Sequence, residues 1–204
     1  MNDFIKNLLD TLKSSSDFFT DIGDPAIQAI TDSAMLDRIP IISFICELYK
    51  IQDLYHLKKL KRNVNSFLII IDKGNKEKIQ RTLTNINEDE TYREEFIDTI
   101  LKILIESEKP IKAKILGDLL VSLSEDKLTL DEYNDLTLII ISTSIPAIEA
   151  LKKFMSENIS GSSHHMDKSL ESLILSAGVG SRYGTQFRVS ELGMKLYKNS
   201  LKYS

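Results

Sequence analysis

Tryptophan is absent from the 204 residues, cysteine occurs once, and there are only 4 prolines and 8 glycines. A single thiol excludes a disulfide framework and any zinc site built on cysteines. That thiol, Cys46, lies in the longest apolar run, IPIISFIC at 39–46. There it reads as a small buried hydrophobe rather than a nucleophile. No stretch reaches the ~18 apolar residues of a spanning helix. The start, MNDFIKNLLDTLK, has no basic opening, apolar centre or cleavage site of a secretory signal, so cytoplasmic residence is expected. A phosphate loop GxxxxGK[ST], an HExxH zinc helix and a Glu-x-x-His pair are all missing. Gly178, Gly180 and Gly184 lack the strand before and the helix after that a dinucleotide fingerprint needs. No catalytic, metal-ligating or cofactor-binding residue is assigned on this basis. A non-enzymatic chain without a cofactor is expected.

What the chain does have is apolar residues, 42% of the total, enough to bury a core at this length. Its charge is uneven. Residues 1–55 carry 4 basic and 9 acidic side chains, 56–81 carry 8 and 2, 82–157 carry 8 and 16, and 158–204 carry 6 and 3. Five of the 8 glycines fall after residue 160. The Ser/Gly/His stretch 158–166 is the expected linker between a helical domain, 1–157, and a short tail, 167–204.

Apolar residues recur at helical spacing through the first part. Phe4, Ile5, Leu8, Leu9 and Leu12 form one stripe, and Asp24-Pro25 is a helix-start signal. Pro40 opens a long helix expected from about Ile39 to Asp72, stopped at Gly74. Asn87 or Glu88 begins a helix with Phe96, Ile97, Ile100, Leu101, Leu104 and Ile105 on one face. Pro110 opens the next, with Ile115, Leu116, Leu119, Leu120 and Leu123. Thr129 and Glu132 have the spacing of a capping box, and Pro146 restarts the chain for Ile148, Leu151 and Phe154. The triplets Ile69–71 and Ile139–141 keep helical flanks and are expected as buried helix.

In the tail, 167–177 reads as a helix and 182–189 alternates around a glycine as a hairpin or wing. Ser190 then caps a last helix with Leu192, Leu196, Tyr197 and Leu201. The stretch FRVSELGMKLYK resembles the strand-to-last-helix junction of winged-helix domains, where Ser/Thr-x-x-Gly leads into an apolar helix face. The expected fold is therefore mostly α: a multi-helix bundle with a small winged-helix-like α+β tail. The whole layout resembles, loosely, uncharacterised bacterial and phage helical proteins of abortive-infection and phage-defence loci. That resemblance implies a role in conflict between bacterium and phage.

Candidate contacts come from charge and apolar stripes. Lys58, Lys59, Lys61 and Arg62 lie within five residues, followed by Lys73, Lys76, Lys78 and Arg81. Such a run suits phosphates or an acidic partner, and Arg182 and Arg188 on the wing extend the option. The +6 and -8 balances of adjacent segments equally suit pairing within the chain or between copies. Ile41, Ile45, Leu48 and Tyr55 form an apolar stripe that can serve as an interface. His56 has no catalytic companion, and His164-His165 lie in a loop without the remaining ligands of a metal site. The acidic clusters at 88–90, 94–95 and 131–132 stand at helix starts, where carboxylates complement the helix dipole.

The expectation is a protein-interaction module, binding itself as a homo-oligomer or binding another protein. A DNA-binding regulator using 58–81 and the wing is the second reading. A membrane-active effector using 26–51 is the third.

Overall fold

The computed structural model describes residues 54–88, 90–165 and 167–202; at 54–58, 61, 90 and 91 it describes the backbone alone. The stripe at 4–12, the starts at Asp24-Pro25 and Pro40, Cys46 and the segment 26–51 on which the membrane-active reading rests lie outside these residues, as do Ile41, Ile45 and Leu48. Among the described residues the chain is mostly helical, with a small antiparallel sheet near its C-terminal end. No helix among them is long and apolar enough to cross a membrane.

The helices are α1 (Leu54–Lys73), α2 (Lys76–Glu88), α3 (Glu90–Glu106), α4 (Ile111–Ser124), α5 (Leu130–Ser142) and α6 (Ile145–Glu157). Strand β1 (Ser162–Ser163), α7 (Lys168–Ser176), β2 (Gly180–Tyr183), β3 (Gln186–Val189) and α8 (Glu191–Leu196) follow, and the last helix continues as a π-helical turn, Tyr197–Leu201. The chain divides into two compact units at Ala113/Lys114, inside α4. Within the second unit α6 packs on α7, and the stretch 158–166 between them supplies β1.

In the first unit, α3 packs on both α1 and α2. Its buried residues Phe96, Ile97, Ile100, Leu101, Ile103 and Leu104 cover a broad arc, because one helix must serve two neighbours. Leu60, Val64, Phe67, Leu68 and Ile71 face it from α1, and Ile79, Leu83 and Ile86 are the buried residues of α2. Helix α2 was not expected from the sequence. Its three apolar residues stand among ten polar ones, although they keep the i, i+4, i+7 spacing of a helix face.

Local chemistry sets the boundaries in the second unit. Thr129 Oγ1 accepts the Glu132 N–H at 3.2 Å, and Glu132 Oε2 accepts the Thr129 N–H at 3.0 Å, completing the capping box. Ser144 caps α6 with Pro146 in its first turn, where a missing N–H costs nothing. Asp167 caps α7, and Ser190 caps α8 by accepting the Gly193 N–H at 3.2 Å. Both isoleucine triplets are helical, in α1 and α5. The sheet order is β1-β3-β2, all antiparallel, with Ser162 opposite Arg188 and Gly180 opposite Val189. Strands β2 and β3 meet at Gly184-Thr185, where a positive φ of 58° at Gly184 alone fits a type II′ turn. Phe187 of β3 is fully buried and meets Phe154 of α6 edge-on, with ring centroids 5.3 Å apart.

Candidate functional site

The basic run on α1 is tied to the end of α3. Residues three and four apart share a helix face, which brings Lys59, Arg62 and Asn63 to one side. Lys59 Nζ lies 3.1 Å from Glu108 Oε1, and the Lys59 side chain is 9% exposed. The Arg62 guanidinium donates to the Glu108 carbonyl. Asn63 is fully buried, and its Nδ2 donates to the carbonyls of Leu104 at 2.9 Å and Ser107 at 2.7 Å. A helix C-terminus leaves carbonyls unpaired and carries partial negative charge. The amide and the two cations therefore satisfy the end of α3. This is a fastening between helices. The buried Asn63 Oδ1 has no hydrogen-bond partner among the described residues. Lys58 and Lys61 lie on the backbone of the same helix, as do Tyr55 and His56.

Further along, Lys76 pairs with Asp72 at 2.9 Å, one helical turn away across the Gly74-Asn75 corner. Lys73, Lys78 and Arg81 are exposed and form no ion pair among the described residues. The exposed carboxylates Glu94, Glu95 and Asp98 on α3 form none either.

In the second unit Arg182 makes a two-pronged contact, Nε and Nη2 to the two Glu171 oxygens, and Nη1 reaches the Thr185 carbonyl at 3.4 Å. The carboxyl of Glu171 is largely buried. The hydrogen bonds from Arg182 hold it below the usual carboxylate range and raise the arginine in turn. Arg188 is exposed, and its Nε and Nη2 both donate to Gln186 Oε1, at 3.0 and 2.8 Å. Lys195 of α8 bonds Glu132 at the start of α5 and Glu191 at 3.0 Å. The hydrogen bond from Lys195 and the Thr129 N–H hold the Glu132 carboxyl down, while Lys195 is raised. Burial pushes the Tyr133 hydroxyl up. His164 and His165 are exposed, and among the described residues no three His, Cys, Asp or Glu side chains stand together as a metal site.

The structure thus brings together Lys59, Arg62 and Glu108, and separately Arg182 and Glu171. Sequence reasoning named the cations but not Asn63, Glu108 or Glu171. Asn63 carried a readable signal, a polar residue inside the stripe Leu60, Val64, Phe67. The two glutamates carried none, since their roles depend on helices that meet only in the fold.

The described chain defines a mostly α protein with a small C-terminal antiparallel sheet. Comparison with protein-family models, with curated proteins and with solved structures finds no match.

Proposed function

We propose that this chain is a cytoplasmic, non-enzymatic protein-interaction module that binds copies of itself or a protein partner. One observation carries the reading. Lys59, Arg62 and Arg182, cations well suited by sequence to phosphate, are each held by acidic or carbonyl oxygens of their own chain. DNA binding through them requires breaking contacts that fasten α1 to α3 and α7 to β2. The winged-helix-like reading of the tail is supported by a hairpin that follows a helix and runs straight into a Ser190-capped helix. A role between bacterium and phage rests on the sequence resemblance.

The test is an anisotropy titration of the full chain with duplex DNA at about 50 and about 200 mM salt, beside a light-scattering mass. Flat anisotropy at low salt, with a mass above the 23.2 kDa monomer or a stable complex with a defined protein, is the expected result. Tight binding that weakens steeply with salt overturns the reading in favour of a nucleic-acid regulator.

A further inference from the structure

The first unit carries two exposed faces of opposite charge that do not neutralise each other within the chain. One is the corner between α1 and α2. Lys73 ends α1, and Lys78 and Arg81, three apart, are neighbours on the exposed side of α2. The other is on α3. Glu94 and Asp98 are four apart and Glu95 and Asp98 three apart, so the three carboxylates adjoin on one exposed side. That side lies opposite the buried arc with which α3 packs on α1 and α2. No ion pair among the described residues links any of these six groups. Glu77, four residues before Arg81, borders the basic face from within α2, while Glu88 at the far end of α2 and Lys102, one turn beyond Asp98, mark where the faces change sign along their helices.

The basic face also opposes its own helix. Lys76 and Lys78 stand in the first turn of α2, where the helix dipole disfavours positive charge. Asp72 relieves Lys76 from α1, but nothing in the described chain relieves Lys78.

We propose that these two faces bind each other between two copies of this chain. The Lys73, Lys78 and Arg81 face of one copy receives Glu94, Glu95 and Asp98 of the other, and the reverse contact forms at the same time. In the proposed pair each copy offers both faces to the other across a twofold axis, so that each is used twice and the assembly closes as a dimer. The partner is thus a second copy, chosen by charge complementarity. This deepens the interaction-module reading and rests on it.

The experiment is light scattering and sedimentation of the full chain at low and high salt, with two charge-reversed variants. One is Lys78→Glu/Arg81→Glu and the other is Glu94→Lys/Asp98→Lys, each first checked for native helicity by circular dichroism. The wild type is expected to approach twice 23.2 kDa at low salt. Its dissociation constant should rise at least about tenfold between about 50 and about 300 mM salt. Each variant alone should run as a monomer, and their equimolar mixture should restore the dimer, because reversed faces match one another. A wild type that stays monomeric at low salt overturns the proposal, as does a mixture that stays monomeric. So does a duplex DNA probe bound by the wild type and lost in Lys78→Glu/Arg81→Glu alone, which would assign the basic face to nucleic acid. A monomeric wild type that still binds another protein and ignores DNA sinks this proposal and leaves the module reading standing.

Discussion

Gly193→Ala tests whether the last helix is seated as closely as described. On propensity alone the change should help, since alanine is favoured over glycine in a helix by about 1 kcal/mol. The packing argues the other way. A Cβ at Gly193 would lie 2.6 Å from Val189 Cγ1, 2.8 Å from the Val179 carbonyl oxygen and 3.0 Å from Val179 Cβ. The carbonyl belongs to the backbone and already accepts the Ser190 N–H at 2.8 Å, so it cannot swing aside without breaking the junction before α8. Overpacking of this kind costs about 1–3 kcal/mol. Because one of the clashes is with backbone, the upper half of that range, about 2–3 kcal/mol, applies, and the net loss after the propensity gain is about 1–2 kcal/mol. Urea unfolding of the full chain, followed by far-ultraviolet circular dichroism, should show a midpoint lower by roughly 0.5–1 M with little change in slope. Gly184→Ala is the companion. Its Cβ meets nothing within 4 Å, so only the left-handed backbone at φ 58° resists it, at about 1 kcal/mol. A Gly193→Ala protein as stable as the wild type, or more so, would refute the close seating of α8 on Val179.

Three further outcomes are expected. Thr129→Ala removes the acceptor of the Glu132 N–H and should cost about 1 kcal/mol in the same titration. Asn63→Ala strips the Leu104 and Ser107 carbonyls of their buried donor and should cost about 1–3 kcal/mol; an unchanged midpoint would contradict the fastening of α1 to α3. Glu171 is depressed in the folded state, so its ionised form stabilises the fold at neutral pH, and that contribution is lost as pH falls through and below the usual carboxylate range. Glu171→Gln should therefore be less stable than the wild type at neutral pH, with the gap closing in acid; a gap constant down to about pH 3 would contradict the Arg182 pairing.

Much of the helical layout was legible because its punctuation is chemical and local. Pro110, the Thr129–Glu132 box, Pro146 and Ser190 each act on neighbours within one turn, and the helices begin beside them. Helix α2 was not read because Ile79, Leu83 and Ile86 are too few to stand out among lysines, threonines and asparagines. Their burial depends on tertiary packing, among the described residues that of α3 on α2, which the local sequence does not announce. Strand β1 was invisible for a related reason. Ser162 and Ser163 have no alternation of their own and extend only because β3 offers a ladder. The same limit governs the charged groups. Spacing showed that Lys59 and Arg62 share a face but not that Glu108 waits opposite, since the two positions are brought together by tertiary packing.

The sheet has an order of assembly written into it. Its middle strand, β3, is the last of the three along the chain, with β1 and β2 on either side. A nascent chain leaving the ribosome therefore carries two unmatched ribbons until Gln186–Val189 emerges, and only then can Phe187 settle against Phe154. Any message truncated ahead of Gln186 yields no partial sheet at all, because neither flanking ribbon has the other for a neighbour.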